Sequence, residues 1–297
     1  MKTADTKPDL EPVAAPPSTL GGRPLIVRSF GLTDRGQVRP SNEDHFLIGE
    51  LLRTLHVHQT SLKQEESQSA ANRGYVFIVA DGMGGHVAGE VASALSLVSI
   101  EAFLLNSLKR FSTLKCSEES TVLQEFEAAV RQADARLFEE ASHHPEFLGM
   151  GTTLTMAFVV RRCLFIAHAG DSRCYLYADG QLRQATRDHT MVAEMVRRKL
   201  LSEEEASRHS YRNIVTNILG GNERGVHVEV QRLDLQPGHV MLLCSDGLSG
   251  MVSDEQIAAI LRDESEPERA CKRLVAAANA NGGKDNITVI VAHFDEA

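Results

Sequence analysis

The sequence predicts an α+β layered sandwich, in which many short antiparallel strands are interrupted by a few long helices. Three observations lead there. Short β-rich runs alternate with amphipathic segments from Leu25 onward, close turns join neighbouring runs, and the long helical segments are few and carry their own start and stop signals. A doubly wound parallel sheet does not fit this pattern.

The elements follow in order. Residues 1–24, "MKTADTKPDLEPVAAPPSTLGGRP", hold five of the nine prolines and have no hydrophobic periodicity, so a disordered N-terminal tail is expected before a single domain at 25–297. Strands are expected near 25–33, 45–49, 75–80, 152–160, 163–169, 173–178, 226–233, 240–244 and 287–293. In "VHVEVQRL", Val226, Val228 and Val230 fall on one face and His227, Glu229 and Gln231 on the other, as in a half-buried strand. The turns "ADG" at 178–180 and "QPGH" at 236–239 are tight enough for antiparallel pairing of the runs they join. Between two strands, residues 51–73 read as an insertion, either a hairpin extension or a mobile loop.

Helices are expected at 87–109, 121–142, 253–262 and 267–280, with shorter ones within 188–208. Capping boxes mark two starts, Ser202 with Glu205 and Ser253 with Gln256. Gly282 and Gly283 mark the end of the last long helix. No internal repeat is present.

At 297 residues and 42% hydrophobic content the chain can bury a substantial core. A formal charge of -9 argues against a nucleic-acid or anionic-membrane surface, so an anionic substrate would need local help, which bound cations could supply. Cys116, Cys163, Cys174, Cys244 and Cys271 show no paired spacing, so neither a disulfide framework nor a zinc cluster is expected, and a reducing cytoplasm fits. The most apolar helical stretch, Val91 to Leu105, is interrupted by polar residues and short for a bilayer, and no signal peptide is expected at the start.

The stretch "VFIVADGMGGHVAGEVAS" looks like a strand, glycine turn and helix built to cradle phosphate. Read as a phosphate loop, however, it places Glu90 where lysine is required and Val91 where serine or threonine is required. Read as a dinucleotide fingerprint, it has Val87 at the third glycine. Its acidic residue is more informative. "NED" at 42–44, "ADG" at 80–82, "SDG" at 245–247 and "KDN" at 284–286 each lie at a strand end, and "GDSR" at 170–173 joins two runs. An Asp beside Gly is common in any turn. Taken together, strands paired in one sheet would bring Asp81, Asp246 and Asp285 to one rim, where like charges require cations. Oxygen-only ligands favour magnesium or manganese over zinc.

These motifs, with "TDRGQVRPSNEDHF", "GTTLTMAFV", "AHAGDSRCYLY", "TRDHT", "LLCSDGL" and "GGKDNITVIV" in that order, resemble the metal-dependent serine/threonine protein phosphatases of type 2C, particularly the bacterial branch. The likeness runs from about Val27 to Phe294. It implies a four-layer α-β-β-α sandwich with a binuclear metal site at one end. It also implies hydrolysis of phosphoserine and phosphothreonine in proteins by direct attack of a metal-bridging hydroxide. By matching position, Asp81 would bridge two manganese or magnesium ions and the Gly82 carbonyl would complete the first. Asp246 and Asp285 would hold the second ion, and Asp171 a third, weaker one. Arg39 would grip the substrate phosphate, as its planar guanidinium suits. Glu43, Asp44 and Asn286 would stand behind the ligands and orient bound waters.

Met83 departs from the histidine that eukaryotic relatives carry after the Asp-Gly pair. His86 is nearby, but a lone histidine in a glycine-rich turn more often has a structural role. His56 and His58 suggest one strand face, and His143 and His144 end a helix where cations are favoured. Residues 188–222, with Arg197, Arg198 and Lys199, correspond to the family's flap beside the active site; their charges could be plain solvation or could read the substrate. The expected partners are phosphorylated proteins and a serine/threonine kinase that supplies them, with no nucleic acid and no membrane, and the chain is expected to be a monomer. The alternative is a catalytically silent phosphoprotein-binding module on the same fold, which loss of a metal carboxylate would signal; none of the three is lost. A structural calcium domain lacks the required spacing of acidic residues.

Overall fold

In the computed structural model, residues 25–53, 72–84, 88–111 and 119–296 are described. The expected tail, most of the 51–73 insertion, and His56, His58 and His86 lie outside them. Two antiparallel sheets form the centre. One runs β1 (Leu25–Asp34), β12 (Ile287–Glu296), β11 (Val240–Cys244), β7 (Arg173–Ala178) and β8 (Gln181–Gln184). The other runs β10 (Glu229–Asp234), β6 (Cys163–Ala169), β5 (Leu154–Val160) and β3 (Asn72–Met83), with β2 (Asp44–Arg53) also paired to β3. Two short strands, β4 (Gly151–Thr152) and β9 (Leu219–Gly220), continue the ladder from Gly82 and Met83 at the end of β3.

The central strands read as unbroken apolar runs because both of their faces are covered. In β3, Phe77 and Val79 point into the layer between the sheets, while Val76, Ile78 and Ala80 face helices α1 (Ala88–Phe111) and α2 (Glu119–His143). In β12, Ile290, Ala292 and Phe294 join the same inner layer. Ile287, Val289 and Val291 instead meet α5 (Asp246–Ser249), α6 (Asp254–Asp263) and α7 (Pro267–Ala280). The order of layers is therefore helix, sheet, sheet, helix, as the resemblance implies.

Local signals set the helix ends. Ser253 opens α6 with a complete capping box, and Ser202 does the same for the short α4 (Glu203–Ser207). Pro267 occupies the first turn of α7, where its missing N–H costs nothing. Beyond Asn281, Gly282 and Gly283 take positive φ of 118° and 46° and turn the chain away.

Several expectations are corrected. "QPGH" does not close a hairpin, because β10 and β11 lie in opposite sheets. Leu235 is drawn fully into the inner layer, and Gly238 N–H donates to Phe294 O at 2.7 Å, so the turn crosses the sandwich and is pinned to β12. "GDSR" likewise passes from β6 to β7 in the other sheet. Val226 and Val228 are buried but precede the ladder, which begins at Glu229. The four-residue strand β8 pairs with β7 across the "ADG" turn and was not expected as a strand. The β2–β3 ladder extends to Arg53 opposite Asn72, so the two ends of 51–73 are a hairpin. Cys163 is disulfide-bonded, whereas Cys174, Cys244 and Cys271 are free and buried. By length and composition alone, Ala88–Asn106 of α1 could cross a membrane, and half of that stretch is buried against the rest of the chain.

Candidate metal centre

Strand ends from both sheets meet at one cavity of about 420 Å³, lined by Asp81, Asp171, Asp246, Asp285, Arg39 and Glu43 among others. Asp81, near the end of β3, is paired in register with Asp44, the first residue of β2. Asp246 follows β11, Asp285 precedes β12, and Asp171 lies in the turn before β7. Because β11 pairs with both β12 and β7, those three chain ends are neighbours in one sheet. The carboxylates therefore straddle two sheets instead of sharing the rim of one. Asp171 reaches Asp246 through the β7–β11 pairing, not through pairing of β6 with β7.

Each acid is held by its own framework. The Asp81 N–H donates to Thr153 Oγ1 at 3.0 Å, and its carbonyl accepts from Thr152 Oγ1 and Thr153 N–H, both at 2.9 Å. The N-terminal turn of α1 lies directly on this segment. A Cβ on Gly82 would strike the Gly89 carbonyl, and one on Gly89 would strike the Glu43 carboxylate. The glycine-rich run thus serves close approach of backbone to an acidic centre.

Asn286 is fully engaged. Its Oδ1 accepts from Glu43 N–H at 2.8 Å, and its Nδ2 donates to the carbonyls of Arg35 and Ser41 at 2.9 and 2.8 Å. It therefore fixes the loop that carries Arg39. Gly36 packs that loop onto the backbone of Gly283 and Asp285. Arg39 Nη2 donates to Asp285 Oδ2 at 2.6 Å while its side chain remains 54% exposed, so the guanidinium both pairs a predicted ligand and faces the cavity.

The electrostatics are those of crowded acids. Burial, then Asp246 and Asp188, pushes Asp171 up to about 8. Burial pushes Asp44 up to about 7, opposed by the Ser245 hydroxyl, which donates to its Oδ2 at 2.7 Å. Burial and then Asp285 push Asp246 up to about 6, and burial with the surrounding carboxylates raises Asp81 well above the usual range. Two carboxylate oxygens, Asp44 Oδ1 and Asp246 Oδ1, are buried with no hydrogen-bond partner. Among the described residues no three His, Cys, Asp or Glu side chains already converge into a metal cage. Asp285 leans to Arg39, as an acid does when arginine balances its charge. Orphaned buried oxygens and an all-oxygen donor set fit hard divalent cations.

A family profile described as protein phosphatase 2C matches residues 54–286. The chain belongs to the protein phosphatase 2C family. It is 36% identical over 269 residues to the serine/threonine protein phosphatase PstP of Mycobacterium tuberculosis, covering 90% of this chain and 45% of that protein. The chain thus spans about half the length of that curated relative. It is 34% identical to the serine/threonine phosphatase stp of Listeria monocytogenes, covering 89% of this chain and 94% of that one. Among solved structures, the PstP catalytic domain in complex with two manganese ions matches with a TM-score of 0.72 at 32% identity, covering 92% and 100% of the two chains. Stp1 of Staphylococcus aureus matches with a TM-score of 0.72 at 29% identity, covering 92% and 96%.

On this protein phosphatase 2C fold Glu43, Asp81, Asp171, Asp246 and Asp285 line the cavity, whereas Asp44 is not part of its lining and is buried against the Ser245 hydroxyl. Met83 lines the cavity and offers no titratable group. Sequence reasoning missed Thr152, Thr153 and Ser245, although each lies inside a quoted motif. It also missed Asn213 and Val215, which bring the 188–222 segment to the cavity. Helices α3 (Met191–Arg197) and α4 belong to that segment, and Arg197 and Arg198 both pair with Glu194 on its surface.

Proposed function

We propose that this chain hydrolyses phosphoserine and phosphothreonine in proteins, with two manganese or magnesium ions held by Asp81, the Gly82 carbonyl, Asp246 and Asp285, and a third, weaker ion at Asp171. The observation that carries the reading is the pair of orphaned, buried carboxylate oxygens beside a cavity ringed by acids from both sheets. Bound divalent cations supply an acidified water and neutralise charge on the phosphoryl oxygens. The chain's own residues do the rest. Arg39 presents an always-charged planar donor to the phosphate from the cavity wall. Asn286 fixes the loop that carries it. Asp44 and Glu43 stand behind the ligands as acceptors that orient water, and the Ser245 hydroxyl keeps Asp44 in place. With Met83 at the position of the eukaryotic histidine, no imidazole on a described residue lines the cavity to protonate the leaving oxygen. The substrates are phosphoproteins made by a serine/threonine kinase in the cytoplasm, and the chain acts as a monomer.

The test is hydrolysis of phosphoserine, phosphothreonine and phosphotyrosine peptides with manganese, magnesium, calcium or chelator. Turnover of the first two with manganese or magnesium, poor turnover with calcium and none with chelator is the expected result. Metal-dependent binding of phosphopeptides without turnover would instead support the silent module. Asp246→Asn should lower manganese affinity and rate together while leaving the fold intact. Wild-type turnover by that variant at limiting manganese would refute the ligand assignment.

A further inference from the structure

We infer that His189 is a positioning residue: it clamps Gly170, fixes the turn that places Asp171 in the cavity, and ties that turn to both stems of the 188–222 segment. The inference rests on the proposed function in one respect, that Asp171 holds the weak third ion. His189 itself comes from the "TRDHT" motif, to which the mechanism assigns nothing.

The geometry is specific. Both polar backbone atoms of Gly170 bond to this one residue: Gly170 N–H donates to His189 Nδ1 at 3.1 Å, and His189 N–H donates to Gly170 O at 2.8 Å. Gly170 has φ of +119°, and a Cβ there would meet Thr153 Cβ at 2.5 Å, so the turn occupies a conformation open only to glycine and needs external fastening. Thr153 is the residue that also receives the Asp81 N–H. The Gly170 turn is thus seated on the support of one predicted ligand and carries another.

The state of the imidazole can be deduced. His227 N–H donates to Asn217 Oδ1 at 2.9 Å, which fixes the orientation of that amide. Asn217 Nδ2 is then the group 2.9 Å from His189 Nδ1. With two donors aimed at it, Nδ1 is a bare acceptor and the proton sits on Nε2, which faces Glu229 Oε2 at 3.6 Å. Behind the ring lies His168, centroids 4.9 Å apart, with both of its nitrogens occupied by Thr155 Oγ1 and the Arg187 carbonyl. The imidazole has no freedom to turn away.

His189 also joins the two stems. Its carbonyl accepts from Thr216 N–H at 2.8 Å and Thr216 Oγ1 at 3.0 Å, and the next residue, Thr190, bridges to Val215 at the cavity. A substrate that displaces the cavity-facing part of this segment therefore pulls on the Asp171 turn. A group acting through the orientation of a ligand is worth about 10–100-fold in metal affinity or activity when removed.

The experiment compares His189→Ala, His189→Gln and His189→Asn with the wild-type chain. Manganese binding is followed by calorimetry and electron paramagnetic resonance, hydrogen exchange by the Gly170 amide, and turnover with a phosphothreonine peptide. Asn places Oδ1 as many bonds from Cα as Nδ1, so it can still accept from Gly170, whereas Gln is one methylene too long. The Ala and Gln variants should keep two tight ions but bind the third about 10–100-fold more weakly and lose protection at Gly170, and Asn should restore both lost properties. If Ala does not fold, the Gln and Asn pair decides. Unchanged third-ion affinity in Gln or Ala, failure of a folded Asn variant to rescue, or a wild-type chain that binds only two ions would overturn the inference. A wild-type chain that binds three ions yet leaves phosphopeptides intact would refute the phosphatase reading and leave the clamp standing.

Discussion

Asn286 and the buried acids show how much rests on single side chains. The Asn286 carboxamide serves three backbone groups of the 35–43 loop, and its replacement by Ala leaves Glu43 N–H and two carbonyls without that partner. At about 1–3 kcal/mol for each buried polar group left unsatisfied, and with water reaching some of them, Asn286→Ala should destabilise the chain by roughly 2–4 kcal/mol. It should also raise KM for phosphopeptides, because the loop presents Arg39. An unchanged melting temperature would show that the loop is fastened elsewhere. The acids give a pH prediction with a definite sign. Asp246, Asp44 and Asp171 hold protons up to about 6, 7 and 8, against an ordinary value of 3.8. Without metal, the folded state therefore keeps protons that the unfolded chain has already released. Their stabilisation is complete below the unfolded value and is lost as pH rises through 6 to 8. The metal-free protein should melt at progressively lower temperature from pH 6 to pH 8. Saturating manganese should flatten or reverse the trend, since cations take over the role of the protons. A metal-free melting temperature that rises across this window would contradict the assignment of these acids as one crowded cluster.

Elements carry a different lesson, because burial and pairing are separate signals. The runs that became β3, β5, β6, β11 and β12 were legible as strands because layers cover both of their faces. The alternation at 226–230 correctly reported buried valines but not that the ladder begins only at Glu229. "QLRQ", an edge strand of four polar or half-buried residues, gave no apolar pattern to read. Turn chemistry at "GDSR" and "QPGH" announced a reversal of the chain but could not say which sheet receives the next strand, since that depends on contacts distant in sequence. Helix starts were clearer, because a capping box is complete within four residues. Ser253→Ala should accordingly cost α6 about 1 kcal/mol and leave kcat/KM unchanged, as no residue of α6 lines the cavity. A chemical denaturation curve beside steady-state kinetics checks both halves of that statement. Gly82→Ala is its opposite. The new methyl would press on the Gly89 carbonyl, which is backbone at a helix start and cannot swing aside, so loss of fold or of metal binding is expected from one carbon atom.

At the scale of the whole molecule, the acids singled out from sequence as candidate ligands do line one cavity, but they reach it from two sheets and not from the rim of one, and the difference has a physical consequence. Asp81 lies in a strand of one sheet while Asp246 and Asp285 flank strands of the other, so cations shared among them would join two sheets otherwise held together by the inner apolar layer. Metal binding to the folded state alone stabilises by about 2.7 kcal/mol at a hundredfold excess over Kd. That gain depends on the spacing of the sheets, and thus on the residues between them and not on the outer helices. Ile290 lies in the inner layer and Leu274 packs α7 on the outside, and both are fully buried. Either residue changed to Ala should cost about 2–5 kcal/mol. The two losses should nevertheless behave differently when manganese is added. Leu274→Ala should melt earlier but keep the full manganese-induced rise in melting temperature, because the two sheets still meet at their native distance. Ile290→Ala should lose part of that rise as well, since its cavity lets the sheets shift and the carboxylates fall out of reach of a common ion. Thermal melts of both variants with chelator and with saturating manganese separate the outcomes. Equal manganese-induced shifts in the two variants would mean that each sheet holds its metal ligands without help from the other.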